Sequence, residues 1–139
     1  MEGLRQQKVL LPAPEVIDLF ANVHEIEHAS LLEGTKQGQA KLIAARIAKA
    51  RLLQQKRHNG IKMNAALSNS ELKRHAALSP AAKVILDTAA ERLGISARSY
   101  MRAIKVARTI ADLDESPTIE TRHITEALQF RRPETPQPL

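Results

Sequence analysis

Four punctuation marks from Ser68 to Ser96 constrain the fold more than anything else in this sequence. Ser68-Asn-Ser-Glu71 has the spacing of a capping box, in which a serine hydroxyl and a glutamate three residues on satisfy each other's backbone N–H groups, so a short helix opens there. Ser79-Pro80 repeats the signal: a capping serine precedes a proline whose fixed φ and missing N–H suit the first helical position. Ala82, Ile85, Leu86, Ala89 and Leu93 then form a stripe at helical spacing, and Gly94 stands where a left-handed C-terminal cap is needed. Ser96 caps the next helix, which runs to about Leu113 with Tyr100, Ile104, Ala107 and Ala111 facing inward. Asp114 to Pro117 read as a turn, Ile119 as a brief extended contact, and Thr121 as the cap of a last helix reaching about Phe130.

Upstream, nothing breaks a helix from about Gln39 to Arg57, where Ile43, Ile47, Ala50 and Leu53 recur at helical spacing, and Asn59-Gly60 marks the turn that follows. Five helices result, and composition agrees. Hydrophobic residues make up 43% of the 139, yet aromatics supply only 2%. Small aliphatic side chains suit close-packed helices better than an aromatic-rich sheet, and this length supports one core. An all-α fold is therefore expected, with one exception. Ile17, Leu19, Ala21 and Val23 alternate with Asp18, Phe20, Asn22 and His24, which predicts a single β-strand. A lone strand cannot satisfy its own hydrogen-bond ladder, so its sheet partners are expected in a larger parent. The organisation is then an irregular lead-in over 1–16, strand and linker over 17–35, a helical domain over 36–130 and a disordered tail over 131–139, where three prolines fall.

Several function classes drop out. With no cysteine, disulfides and thiolate metal sites are excluded, and a reducing cytoplasmic setting is the simplest expectation. No apolar run approaches the roughly 20 residues needed to span a bilayer, so no membrane partner is expected. His24-Glu-Ile-Glu-His28 matches the zinc-protease pattern, but that chemistry needs both imidazoles on one helical turn. On an alternating strand the two histidines lie roughly 13 Å apart, too far for one ion, and no metal site is assigned. Gly34-Thr-Lys-Gln-Gly38 lacks the frame of a phosphate-cradling loop and reads as a linker.

Charge is more informative. The net charge is +6, and between Glu33 and Glu71 there is no acid at all. Lys41, Arg46, Lys49, Arg51, Lys56 and Arg57 lie in that stretch, as either a solvated helix surface or a contact for DNA phosphates or a neighbouring subunit. In the helix opened by Ser96, Arg98, Arg102, Lys105, Thr109 and Asp112 follow one face, opposite the apolar one, with the three cations towards the N-terminus. Cations beside the positive end of a helix macrodipole are unfavourable, and an anion placed there would relieve them.

The run Arg92-Leu-Gly-Ile-Ser-Ala-Arg-Ser-Tyr-Met-Arg-Ala-Ile-Lys-Val-Ala-Arg-Thr-Ile-Ala-Asp-Leu113, followed by His123-Ile-Thr-Glu-Ala-Leu-Gln-Phe-Arg131, closely resembles the C-terminal domain of magnesium-chelatase-like AAA+ ATPases of the ComM competence family. Ala44-Ala45-Arg46, Ala50-Arg51, Gln54-Gln55, Asn64-Ala-Ala-Leu-Ser68 and Leu72 extend the resemblance, which covers about residues 17 to 132. It implies a helical lid that follows an α/β nucleotide domain in an ATP- and Mg²⁺-dependent, ring-forming (hexameric) motor, which acts on DNA as a helicase in branch migration during transformation. Arg98 matches the sensor 2 arginine that reaches the γ-phosphate, with Arg102 and Lys105 as further phosphate contacts. Family members carry an Asp-Arg pair where this chain has Glu15-Val16, so no arginine finger is carried over. The phosphate-cradling motifs belong to the parent's nucleotide domain, and this chain alone is expected to hydrolyse no ATP. Two other readings stand beside this one: the ATPase branch related to magnesium chelatase itself, and a freestanding basic helical DNA-binding module.

Overall fold

A computed structural model describes residues 17–25, 38–60 and 62–132. Among them the fold is all-α: α1 (Gln39–Arg57), a 3-10 turn at Asn64–Ala66, α2 (Asn69–His75), α3 (Pro80–Leu93), α4 (Ala97–Leu113) and α5 (Thr121–Gln129). The expected lead-in, the Gly34 to Gln37 loop, His28 and the tail beyond Arg132 lie outside the described residues.

The caps sit where the sequence puts them. The Ser68 side chain accepts the Glu71 N–H while the Glu71 carboxylate accepts the Ser68 N–H, completing the capping box of α2. Ser79 caps α3 ahead of Pro80, Gly94 closes it at φ 59°, and the Ser96 hydroxyl accepts the Ser99 N–H to open α4. Residue 94 is one of the places where glycine matters, because a side chain at that positive φ would be strained. The start of α5 differs from expectation. Its cap is Glu120, whose N–H is taken by the His123 ring at 2.9 Å, while Thr121 already lies inside the helix and accepts, through its carbonyl, from Thr125. The buried His123 imidazole thus accepts the N–H of the cap residue itself.

The core lies where α4 packs on α5 and α1, and α3 packs on α5. Leu72, Ala82, Leu86, Ala107, Ala111, Ile119 and Ile124 are fully buried there. The side chains of Leu and Ile each contribute about 1.5–3 kcal/mol by leaving water. Ile119 makes the expected extended contact, pairing with Leu78 in an isolated parallel bridge whose N–H groups reach Ala77 and Ile119 carbonyls.

Two expectations fail, each for a physical reason. Residues 17–25 form no strand. No second strand is present among the described residues to pair with, and the segment docks by one backbone bond, Phe20 N–H to Phe130 carbonyl at 2.9 Å. Neither side of the alternation is buried as a face: Ile17, Asp18 and Phe20 are half-buried, and Val23 is 92% exposed. On α1, Ala50 is buried and Leu53 half-buried, but Ile43 and Ile47, on the same stripe, are 49% and 40% exposed. The N-terminal turns of α1 overhang the body.

Beneath α1 lies a polar cluster that hydrophobic periodicity does not reveal. Asp112, 1% exposed, accepts two bonds from the Arg57 guanidinium, one from Arg108 Nε at 3.2 Å and one from Asn64 Nδ2 at 2.9 Å. Arg108, entirely buried, spends its remaining N–H groups on the Ser116 and Pro117 carbonyls and so fixes the loop into α5. Gln54 accepts the Asn64 N–H at 2.9 Å. No buried side-chain polar atom among the described residues lacks a partner. Burial pulls the Arg108 guanidinium below its ordinary value, with Asp112 opposing that pull. Removing one member of such a cluster strands the others, so Asp112→Ala should lower unfolding free energy by about 3–5 kcal/mol in urea melts. A loss under 1 kcal/mol would show that the cluster holds nothing together.

Candidate functional site

The charges of α4 run against its macrodipole at both ends. Its C-terminal end carries Asp112, Asp114 and Glu115, where carboxylates are disfavoured, and its N-terminal end carries Arg98, Arg102 and Lys105, where cations are disfavoured. The C-terminal acids are answered by α1. Arg57 takes Asp112, Arg46 reaches Asp114 at 3.3 Å, and Lys49 reaches Glu115 at 3.0 Å. These three α1 cations recur at i, i+3 and i+11, which places them on one helical face. Arg122 and His123 approach Asp114 from α5. The basic run of α1 is thus half consumed inside the fold. Among the described residues, Lys41, Arg51 and Lys56 are the α1 cations without a hydrogen bond or ion pair.

At the other end the cations converge on an open cleft of about 410 Å³, lined by Asp18, Asn69, Ala97, Arg98, Met101, Arg102 and Lys105. The face shared by Arg98, Arg102, Lys105, Thr109 and Asp112 is not opposite the apolar one along its whole length. It is open at Arg98 and closes towards Asp112, because α1 and the 3-10 turn cover its second half. Lys105 donates to the Ala65 carbonyl at 3.1 Å, and Arg102 Nε is 2.9 Å from the Asp18 carboxylate. Arg98 is exposed and has no hydrogen bond or ion pair among the described residues. The three expected phosphate contacts therefore share one cleft but differ in state: two have internal partners, and Arg98 has none.

Sequence reasoning missed Asp18 as part of this site, having assigned it to a strand. It also missed Asp114 and Glu115 as the partners of the α1 basic run. Opposite charge in two separated helical segments was the available signal for the second, and none was available for the first.

The first turns of α4 are held against α3 by the Tyr100 hydroxyl, which donates to the Asp87 carboxylate at 2.6 Å, while Lys83 meets the other oxygen of Asp87. Those two donors hold Asp87 below the usual carboxylate range. Burial, then the Asp87 hydrogen bond, pushes Tyr100 up to about 12 from an ordinary 10.0. A raised value means the neutral phenol is the stabilising form, so this contact is intact below pH 10 and is lost as pH climbs through about 12. The chain has one tyrosine and no tryptophan, so phenolate absorbance reads this contact alone. Spectrophotometric titration should place the folded midpoint near 12, moving towards 10 in Asp87→Asn; a wild-type midpoint at 10 contradicts the α3–α4 tether.

Comparison with known proteins places these residues in context. The family described as magnesium chelatase, subunit ChlI C-terminal, matches residues 37–131, spanning α1 to the end of α5. Competence protein ComM of Haemophilus influenzae is 33% identical over 121 residues, which cover 86% of this chain and 23% of that protein. Uncharacterized protein YifB of Escherichia coli strain K12 is 38% identical over 89 residues, 64% of this chain and 17% of that protein. YifB of Salmonella typhimurium is 31% identical over 124 residues, 89% of this chain and 22% of that protein. The chain thus spans less than a quarter of the length of these curated relatives. No helix among the described residues is long and apolar enough to cross a membrane.

Proposed function

Because the chain belongs to the magnesium chelatase, subunit ChlI C-terminal family, we propose that it serves as the helical lid of an AAA+ ATPase and that Arg98 contacts the terminal phosphate of ATP held by the nucleotide domain of the same protein. The observation that carries this reading is the contrast at the start of α4, where Arg102 and Lys105 have internal partners and Arg98 faces an open cleft with none among the described residues. An exposed guanidinium beside the positive end of a helix is a poor arrangement by itself. It becomes favourable once a phosphate accepts two parallel N–H bonds in the planar geometry that only arginine offers. Lys105 stands on the same cleft and adds positive potential there.

The lid role also accounts for the overhang of α1. Ile43 and Ile47 extend the stripe that Ala50 begins, and an apolar stripe left open on a helical domain suits a second surface, here the nucleotide domain or a neighbouring subunit of a ring. Lys41, Arg51 and Lys56 are the α1 cations left to meet an external anion. Together with the name of the Haemophilus relative, they favour DNA backbone as the polymer on which the assembled motor acts, in strand exchange or branch migration, with ATP and Mg²⁺ as fuel.

The test is ATP turnover by the full-length protein containing the nucleotide domain, wild type against Arg98→Ala. Loss of a preorganised donor at the transferring phosphate should lower turnover by roughly 10²-fold or more. An unchanged rate leaves Arg98 as surface charge and removes the nucleotide reading.

A further inference from the structure

We infer that Asp18 is a positioning residue for Arg98, acting through its ion pair with Arg102, an inference that rests on the nucleotide reading of Arg98 above. The C-terminal half of α4 is gripped by α1 through Arg57, Arg46 and Lys49. Its N-terminal half is tied, among the described residues, by Tyr100 to Asp87 on α3, by Lys105 to the Ala65 carbonyl and by Arg102 to Asp18. The Arg102 to Asp18 pair sits one helical turn from Arg98 on the same face, at i+4.

The Arg102 side chain is 18% exposed and that of Asp18 43%, so the pair is partly withdrawn from water and counts for more than one at a fully open surface. That carboxylate also supplies negative charge towards the helix N-terminus, where the macrodipole favours it. The segment bearing Asp18 is seated at a second point, with the Phe20 N–H donating to the Phe130 carbonyl at the end of α5. Beneath it, between Asp18, Phe20, Ser99, Arg102, Val106 and Ala127, a void of only about 50 Å³ remains. Asp18 and Phe20 therefore strap the start of this segment across the α4–α5 groove. The pair Asp18–Arg102 is the charged end of that strap, and it sets where the first turn of α4, and Arg98 on it, lies relative to the chain that precedes the helical body. Arg102 thereby acts on phosphate through Arg98 rather than by contact.

Two measurements test this. In the full-length protein, Asp18→Asn should lower kcat for ATP turnover about 5–10-fold while the KM for ATP stays within about two-fold, because a misplaced donor weakens the transition state more than the ground state. Reversing the pair, Asp18→Arg with Arg102→Asp, should restore at least half of the lost rate, which a direct phosphate contact by Arg102 cannot do. In the chain itself, Asp18→Asn should speed hydrogen exchange at the Phe20 amide about five-fold, whereas Arg98→Ala should leave it unchanged. A slow Arg98→Ala enzyme beside a normal Asp18→Asn enzyme overturns this inference alone. A normal Arg98→Ala enzyme overturns the nucleotide reading and this inference with it. If reversal stays as slow as Arg102→Ala, Arg102 is itself a phosphate ligand and the positioning role is wrong.

Discussion

The buried carboxylate of Asp112 is the point on which the rest of this domain depends. It accepts from α1 through Arg57, from the 3-10 turn through Asn64 and from its own helix through Arg108. Without it, two guanidinium groups would be left buried or half-buried with no counter-charge, a cost that hydrophobic contacts around alanines could not offset. α1 offers few large apolar side chains to the core: only Ala50 and Gln54 are buried along it. A long, basic, alanine-rich helix is therefore attached to the bundle by charge and hydrogen bonds more than by apolar area. Its N-terminal turns are free to overhang because nothing in the attachment requires them.

α4 carries this asymmetry through to function. Its C-terminal half is fixed by a network in which every buried polar side-chain atom is satisfied. Its N-terminal turn is held by fewer and more exposed ties, and it is the turn that bears the uncommitted arginine. The firmly held half of α4 packs on α1 and α5, and the lightly tethered turn lies at its other end.

Much of this was legible in the sequence because capping chemistry is local. Ser68 with Glu71, Ser79 with Pro80, Gly94 and Ser96 mark their helices within a residue, since each cap satisfies backbone groups only a few positions away. What stayed hidden depended on distant partners. Arg108 and Asp112 at i and i+4 look like a surface pair, and only their place among Ala107, Ile110 and Ala111 hints that they are buried. The alternation from Ile17 to Val23 reads as a strand, yet strand formation needs a neighbour, and the segment became a strap instead. Glu120 and not Thr121 is the cap of α5, and its N–H is taken by the His123 ring, which only tertiary packing buries.

On the sensor reading proposed above, Arg98 is poised for an anion presented by another domain. A structure of the full-length protein with a non-hydrolysable ATP analogue measures this directly. The account predicts the Arg98 guanidinium within about 3 Å of a γ-phosphate oxygen, with Asp18 still paired to Arg102. A γ-phosphate held by other cations, with Arg98 still in solvent, would contradict it.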